Sequence, residues 1–237
     1  MNRRQFLGAG CAMVIGSVAR PSNAQNGTRA IVQRIASGMA GRRSANLPVP
    51  VDWVVSQLAD LDPEVQRIIA FHLVQSAPYR LLPWTGDPDS LFTVGRGDCR
   101  HKTYAQMRLF AGIGIRVRHV KIGFDWADLP IPLEILNILA ETRGVHDTVE
   151  LILEDRAAIV DATWDSALSA AGFPVSARWD GFSPTQPVTR GNIRIVYKEA
   201  LPSGISAYDL LGVPWPDRAR TRAFNLALNA WLDDLRT

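Results

Sequence analysis

The chain has 237 residues, 47% of them hydrophobic, with 26 Lys and Arg against 23 Asp and Glu. That is enough for one well-buried core, alone or with a small extension, and a net charge of +3 supports no broad electrostatic hold on nucleic acid. Two cysteines are too few for a disulfide framework or a thiolate-built metal site.

Met1 to Ala24 reads as an export signal. Arg3-Arg4-Gln5-Phe6-Leu7 precedes an apolar stretch from Gly8 to Val18, and Ser22-Asn23-Ala24 forms a small-x-small cleavage pattern. Twin arginines followed by x-Phe-Leu resemble the twin-arginine (Tat) signal. The apolar run is shorter than the roughly 18 residues that a membrane-spanning helix needs. The expectation is a periplasmic or otherwise extracytoplasmic protein, with no stable membrane insertion once the signal is removed. An uncleaved anchor is one alternative, and a lipoprotein signal ending at Cys11 is another, although Gly8-Ala9-Gly10 lacks the usual upstream leucine. Cleavage after Ala24 removes 24 of the 237 residues and three arginines, leaving 23 basic against 23 acidic residues and Cys99 as the sole thiol. An unpaired thiol in an oxidising compartment is either buried and inert or retained for its chemistry.

From residue 25 to Pro50 the sequence shows little periodicity and reads as a loosely ordered lead-in with at most a short helix. Val51 to Leu61 and Glu64 to Gln75 carry apolar residues at helical spacing, the second opened by Asp62-Pro63. His72 on that second helix fits a hydrogen-bonded core histidine. Pro78 to Asp89 is an irregular, proline-rich connection containing Trp84. Gly95-Arg96-Gly97-Asp98-Cys99 then turns into a helix from Arg100 to Ala111, with Asp98 as N-cap and Cys99 in the first turn.

Ile115 to Phe124 alternates as a strand, and Ala127 to Thr142 reads as an inserted loop with a short helix. Val145 to Glu154 and Ala157 to Ala162 read as a hairpin turning at Asp155-Arg156. Asn192 to Glu199 is a further strand and Asp217 to Leu235 a helix. Helices first, then antiparallel strands, indicate an α+β fold, a single domain over residues 51–237.

A thiol is a useful nucleophile only as thiolate, and a helix N-terminus favours that form. The Cys99 N–H, facing the same way, is also suited to an oxyanion. Four histidines compete as its base. His101, two residues on, points roughly 200° around the helix axis from Cys99. His119 lies within a strand, where packing or solvation is the default. His146 opens a strand after a loop, and the proposed hairpin places Asp161 beside it, where a carboxylate fixes the tautomer of an imidazole. Asp147 and Asp165 are alternative carboxylates. Each of these residues alone is more often structural, and only the three together point to catalysis.

Gly97-Asp98-Cys99 with its following helix, Ala111-Gly112-Ile113-Gly114-Ile115-Arg116-Val117-Arg118, then Val145-His146-Asp147-Thr148-Val149-Glu150, then Ile159-Val160-Asp161-Ala162-Thr163-Trp164 resemble the transglutaminase-like core. The likeness spans Leu91 to Trp164, about a third of the chain. It continues more weakly through Gly172-Phe173-Pro174-Val175 and Trp179-Asp180-Gly181, as in small bacterial members. The resemblance implies a papain-related α+β scaffold with the nucleophile helix packed on an antiparallel sheet, and Cys99, His146 and Asp161 as catalytic residues. Asp147-Thr148 departs from the small-plus-aromatic pair common after the family's histidine. The upstream oxyanion partner is not identified by the pattern, with Trp84 and Gln75 as candidates, and Trp164 and Trp179 are either cleft lining or core.

The implied activity is that of an exported peptidase or amidase acting through a thioester on a peptide, a protein or a cell-wall peptide. Acyl transfer to an amine and a non-catalytic binding module on the same scaffold are the alternatives. No cofactor and no metal are expected, since scattered histidines and one cysteine offer no ligand spacing, and there is no glycine-rich nucleotide loop.

Overall fold

The computed structural model describes residues 23–154, 156–199, 201 and 204–237. All but the last two residues of the expected export signal therefore lie outside the described residues, as does Asp155 of the expected hairpin turn. The segment read as a loosely ordered lead-in is instead mostly one helix, α1 (Asn23–Ser44). Ile31, Val32, Ile35, Ala36 and Met39 form an apolar stripe at helical spacing, which three glycines and the surrounding polar residues obscure in the sequence. Gly38 on this helix has a purpose: a Cβ there would stand 3.1 Å from the Trp53 ring.

Three further helices follow: α2 (Val51–Ser56), shorter than expected, α3 (Pro63–Ser76) and α4 (Ser90–Val94). In α3 a proline occupies the first turn, where its missing N–H costs nothing. Gly95 ends α4 in the left-handed conformation (φ +80°) that glycine adopts without penalty. The helix that Cys99 opens is α5 (Cys99–Gly112).

The sheet is antiparallel throughout, in the order β3-β2-β1-β4, built from β1 (Arg116–Asp125), β2 (Arg143–Leu153), β3 (Arg156–Val160) and β4 (Arg194–Lys198). A short helix, α6 (Leu133–Leu136), interrupts the β1–β2 connection, and α7 (Ala207–Leu211) and α8 (Arg218–Asp234) close the chain. The fold is α+β.

Two apolar clusters hold these elements together. One joins α1 to α5 with Val149, Leu151, Ala158 and Val160 of the β2–β3 hairpin. The other gathers Tyr79, Phe124, Trp164, Phe173 and the apolar side of α8. Asp165 locks the second cluster: its carboxylate accepts the Tyr79 N–H at 2.9 Å and the Arg236 guanidinium at 2.7 Å, tying the end of α8 to the 78–84 loop. No helix among the described residues is long and apolar enough to cross a membrane.

Candidate active site

Cys99 occupies the first position of α5, and its geometry begins with the two residues before it. Gly97 forms a parallel bridge to Tyr79, accepting the Arg80 N–H at 3.0 Å, so the irregular 78–84 segment is fixed beside the turn. A Cβ on Gly97 would collide with the His101 side chain. The glycine therefore lets His101 pack beneath the turn. Asp98, buried, caps the helix by accepting the Arg100 and His101 N–H groups at 3.0 and 3.3 Å, and its carboxylate also takes His101 Nδ1 at 2.7 Å and Arg100 Nη2 at 2.5 Å. His101 is thus spent on the cap.

The Cys99 N–H, at the one first-turn position that Asp98 leaves uncapped, has no partner among the described residues. It is free to meet an oxyanion.

His146 lies on β2 opposite Ile122 of β1. Its Nε2 is 2.6 Å from Asp161 Oδ2, and both side chains are buried. An ionised carboxylate only accepts hydrogen bonds, so Nε2 carries the proton in this contact and Nδ1 is the nitrogen left for the thiol. The Cys99 thiol and the His146 ring lie close enough for each to act on the other's titration. Asp161 lies one residue beyond the end of β3, where Thr163 donates its N–H to Oδ1 at 2.9 Å and Thr185 Oγ1 accepts the Asp161 N–H at 2.7 Å. The three residues singled out in the sequence meet in one place.

Burial pushes the Cys99 thiol up, while the neighbouring His146 ring pulls it down. For His146, burial acts downward, but the Asp161 carboxylate and the cysteine outweigh it and raise the imidazole to about 10. The upward push on Cys99 favours a neutral thiol, and the upward push on His146 favours a protonated ring. The protonated ring governs, because it has a carboxylate at 2.6 Å, whereas Cys99 is only half-buried and stands at the N-terminus of a 14-residue helix that favours thiolate. The pair titrates as a unit.

The other histidines and carboxylates have separate partners. His72 Nδ1 is 3.1 Å from Gln75 Oε1. Asp147 is paired with His119 at 2.6 Å and Lys121 at 2.5 Å, and these two partners overcome burial to hold its carboxyl down at about 2. Asp147 therefore serves His119, and Asp165 serves Arg236. Gln75 is buried, with one amide N–H donating to Ser176 O at 3.0 Å and its carbonyl facing His72. Trp84 stacks on Tyr104 (ring centroids 4.9 Å) and stands edge-on to His101, over the first turns of α5, with no hydrogen-bond partner for its indole among the described residues. Trp164 and Trp179 are core residues whose indoles donate to Val188 O and Ser183 O.

Several contributors escape a reading of the sequence. Thr163 lies within the Asp161 motif, which assigns it no role, and Thr185 carries no motif. Lys102, Thr103 and Gln106, all buried on α5, do leave a signal: polar residues interleaved with Ala105, Leu109 and Phe110 on the buried side of a helix. Tyr208 of α7 lies near enough to be influenced by Cys99, Arg100 and Asp147; burial and then the cysteine charge raise its phenol. Among the described residues, no cluster of three or more His, Cys, Asp or Glu is placed to hold a metal ion.

Compared with known proteins, the chain matches no family model and no curated relative.

Proposed function

We propose that this protein is an exported cysteine hydrolase, a peptidase or amidase, built on a papain/transglutaminase-like scaffold. The observation that carries the reading is the His146–Asp161 pair at 2.6 Å set near enough to Cys99 to act on its titration, with a free N–H at Cys99. Export rests on the twin-arginine pattern at Arg3-Arg4, and the scaffold on the sequence likeness together with the nucleophile helix lying against an antiparallel sheet.

Cys99 Sγ, having passed its proton to His146 Nδ1, attacks the carbonyl carbon of an amide. The tetrahedral oxyanion is met by the Cys99 N–H, with the Trp84 indole or the Gln75 amide as the upstream donor. As the C–N bond breaks, His146 delivers its proton to the departing amine and a thioester remains on Cys99. Water then attacks the thioester, gives a proton to His146 and releases the acid, and the proton returns to sulfur. Asp161 stays ionised and holds the ring.

The test is iodoacetamide labelling of Cys99 from pH 4 to 9 in wild type and His146→Ala, followed by a peptide-library assay for cleavage in the presence of a fluorescent primary amine. Rapid labelling well below the free-thiol pKa of about 8.5, slowed by His146→Ala, with new peptide termini, supports the hydrolase. Incorporation of the amine in place of cleavage means that the acyl group is transferred. Slow labelling indifferent to His146 defeats the enzyme reading and leaves a binding module.

A further inference from the structure

Beyond β3 the sheet no longer positions the chain. The last β2–β3 pair is Val149 with Val160, so Asp161 lies where ladder hydrogen bonds have run out. Three side chains take over. Gln106 Nε2 donates to Val160 O at 3.2 Å, Lys102 Nζ donates to Ala162 O at 3.3 Å, and Thr185 receives the Asp161 N–H. Gln106 and Lys102 are four residues apart on α5, on the same side of the helix, and hold the carbonyls on either side of Asp161. Between them, Thr103 Oγ1 donates to Asp147 O at 2.8 Å, the carbonyl following His146. Lys102 Nζ also reaches Gln75 O at 3.2 Å at the end of α3.

All three α5 side chains are at most 3% exposed. Burying amide, hydroxyl and amine groups costs free energy unless each is paired, and apolar side chains would fill the same space without that cost. Pairing to these particular carbonyls gives a reason for their use. The helix that presents the nucleophile is hydrogen-bonded directly to the chain beside the base and on both sides of the orienting acid. Displacing α5 against the hairpin breaks these bonds before it changes any apolar contact greatly.

We propose that Lys102, Thr103 and Gln106 are positioning residues that register Cys99 against His146 and Asp161. The inference rests on the cysteine-hydrolase reading for its consequence in catalysis, but the geometry it predicts is measurable without turnover. The low titration of Lys102, burial bringing it to about 7 against the pull of Asp165 and Asp161, is in keeping with this geometry: a neutral amine has two N–H donors and finds two carbonyls.

The experiment uses the full chain with ¹⁵N-labelled histidine. The solvent-exchange rate of the His146 Nε2 proton is read by NMR in wild type, Lys102→Met, Gln106→Met, Thr103→Val, Thr103→Ser and a core control on the same helix, Leu109→Val. Iodoacetamide pH profiles and unfolding midpoints are taken on the same samples. At least tenfold faster exchange is expected in Lys102→Met and Gln106→Met, with a displaced labelling profile in Thr103→Val that Thr103→Ser restores. Leu109→Val lowers the midpoint and moves neither readout. The proposal is overturned if the wild-type proton exchanges as freely as in an unstructured histidine, if the α5 variants match Leu109→Val, or if Thr103→Ser behaves as Thr103→Val. Should Lys102→Met fail to fold, Gln106→Met and Thr103→Val carry the test. A wild-type thiol that ignores His146→Ala removes the hydrolase reading, whereas proton exchange still decides the positioning one.

Discussion

Asp161 holds His146 through one oxygen and its own backbone through the other: Oδ2 takes the imidazole Nε2 at 2.6 Å while Oδ1 takes the Thr163 N–H at 2.9 Å. The carboxylate is thereby fixed in plane with nowhere to rotate, and its partner ring presents Nδ1 to the thiol. Asp161→Asn keeps the shape and removes the charge. The amide then competes to donate to Nε2, which stabilises the wrong tautomer, so turnover falls about 10³- to 10⁴-fold, as for triads generally. The His146 imidazole, now at about 10, drops towards the ordinary 6.5 or below, because burial is no longer opposed by the carboxylate. NMR titration of the His146 ring gives the answer, and an unchanged titration means that Asp161 does not govern the base.

Asp98 places a negative charge next to Cys99, and that charge works against the thiolate. Asparagine is as good an N-cap as aspartate, so Asp98→Asn retains the accepting oxygen for the Arg100 and His101 N–H groups while deleting the charge. The thiol pKa should fall, extending iodoacetamide labelling to lower pH, with little change in helix content by circular dichroism. A rise in the thiol pKa contradicts the assignment of Asp98 as an opposing charge.

Much of this arrangement is legible in the sequence because it rests on local rules. A glycine-containing turn, an Asx cap and a cysteine at a helix start are adjacent in sequence, and hairpin alternation brings His146 and Asp161 together from 15 residues apart. The α1 helix is not legible, since its apolar stripe is diluted by glycines whose fitness appears only when Trp53 packs against Gly38. The burial of α5 is also misread by hydrophobicity. Tyr104 and Met107 seem the inward positions, yet Lys102, Thr103 and Gln106 are the buried ones, because their polar ends meet carbonyls from distant strands. A helical wheel contains no term for such partners.

The Asp147 cluster is predicted to stabilise the fold and to leave the triad alone. Its carboxyl is held at about 2 by His119 and Lys121, below the usual 3.8, so its contribution is complete above pH 4 and is lost as pH falls towards 2. Asp147→Asn lowers unfolding free energy at pH 7 by roughly 1–3 kcal/mol, between the limits for exposed and buried pairs. The difference from wild type shrinks as pH is lowered through that window. Urea unfolding from pH 2 to 7 measures it. A difference that stays constant with pH means that the pairing is not the source of the effect, and a loss of thiol labelling beyond threefold means that Asp147 belongs to the catalytic machinery after all.

Lys102 gives a pH dependence of the same sign in a higher window, and here the cause is burial. Its amine titrates near 7 in the folded chain, against 10.5 in the open. Between those values the unfolded chain binds the proton that the folded chain refuses, so folding becomes more favourable as pH rises, by about 1.4 kcal/mol per pH unit. Below pH 7 both states carry the proton and the cost of burying the ammonium is present in full. Lys102→Met removes the titration. The stability of wild type minus that of Lys102→Met is therefore expected to be flat below about pH 6.5, to climb from pH 7 to 10 with close to a one-proton slope, and to flatten again beyond. Paired urea titrations at half-unit intervals resolve this curve. A difference flat across pH 7 to 10 means that Lys102 keeps its charge in the core, and its hold on Gln75 O and Ala162 O is then the grip of an ammonium rather than an amine.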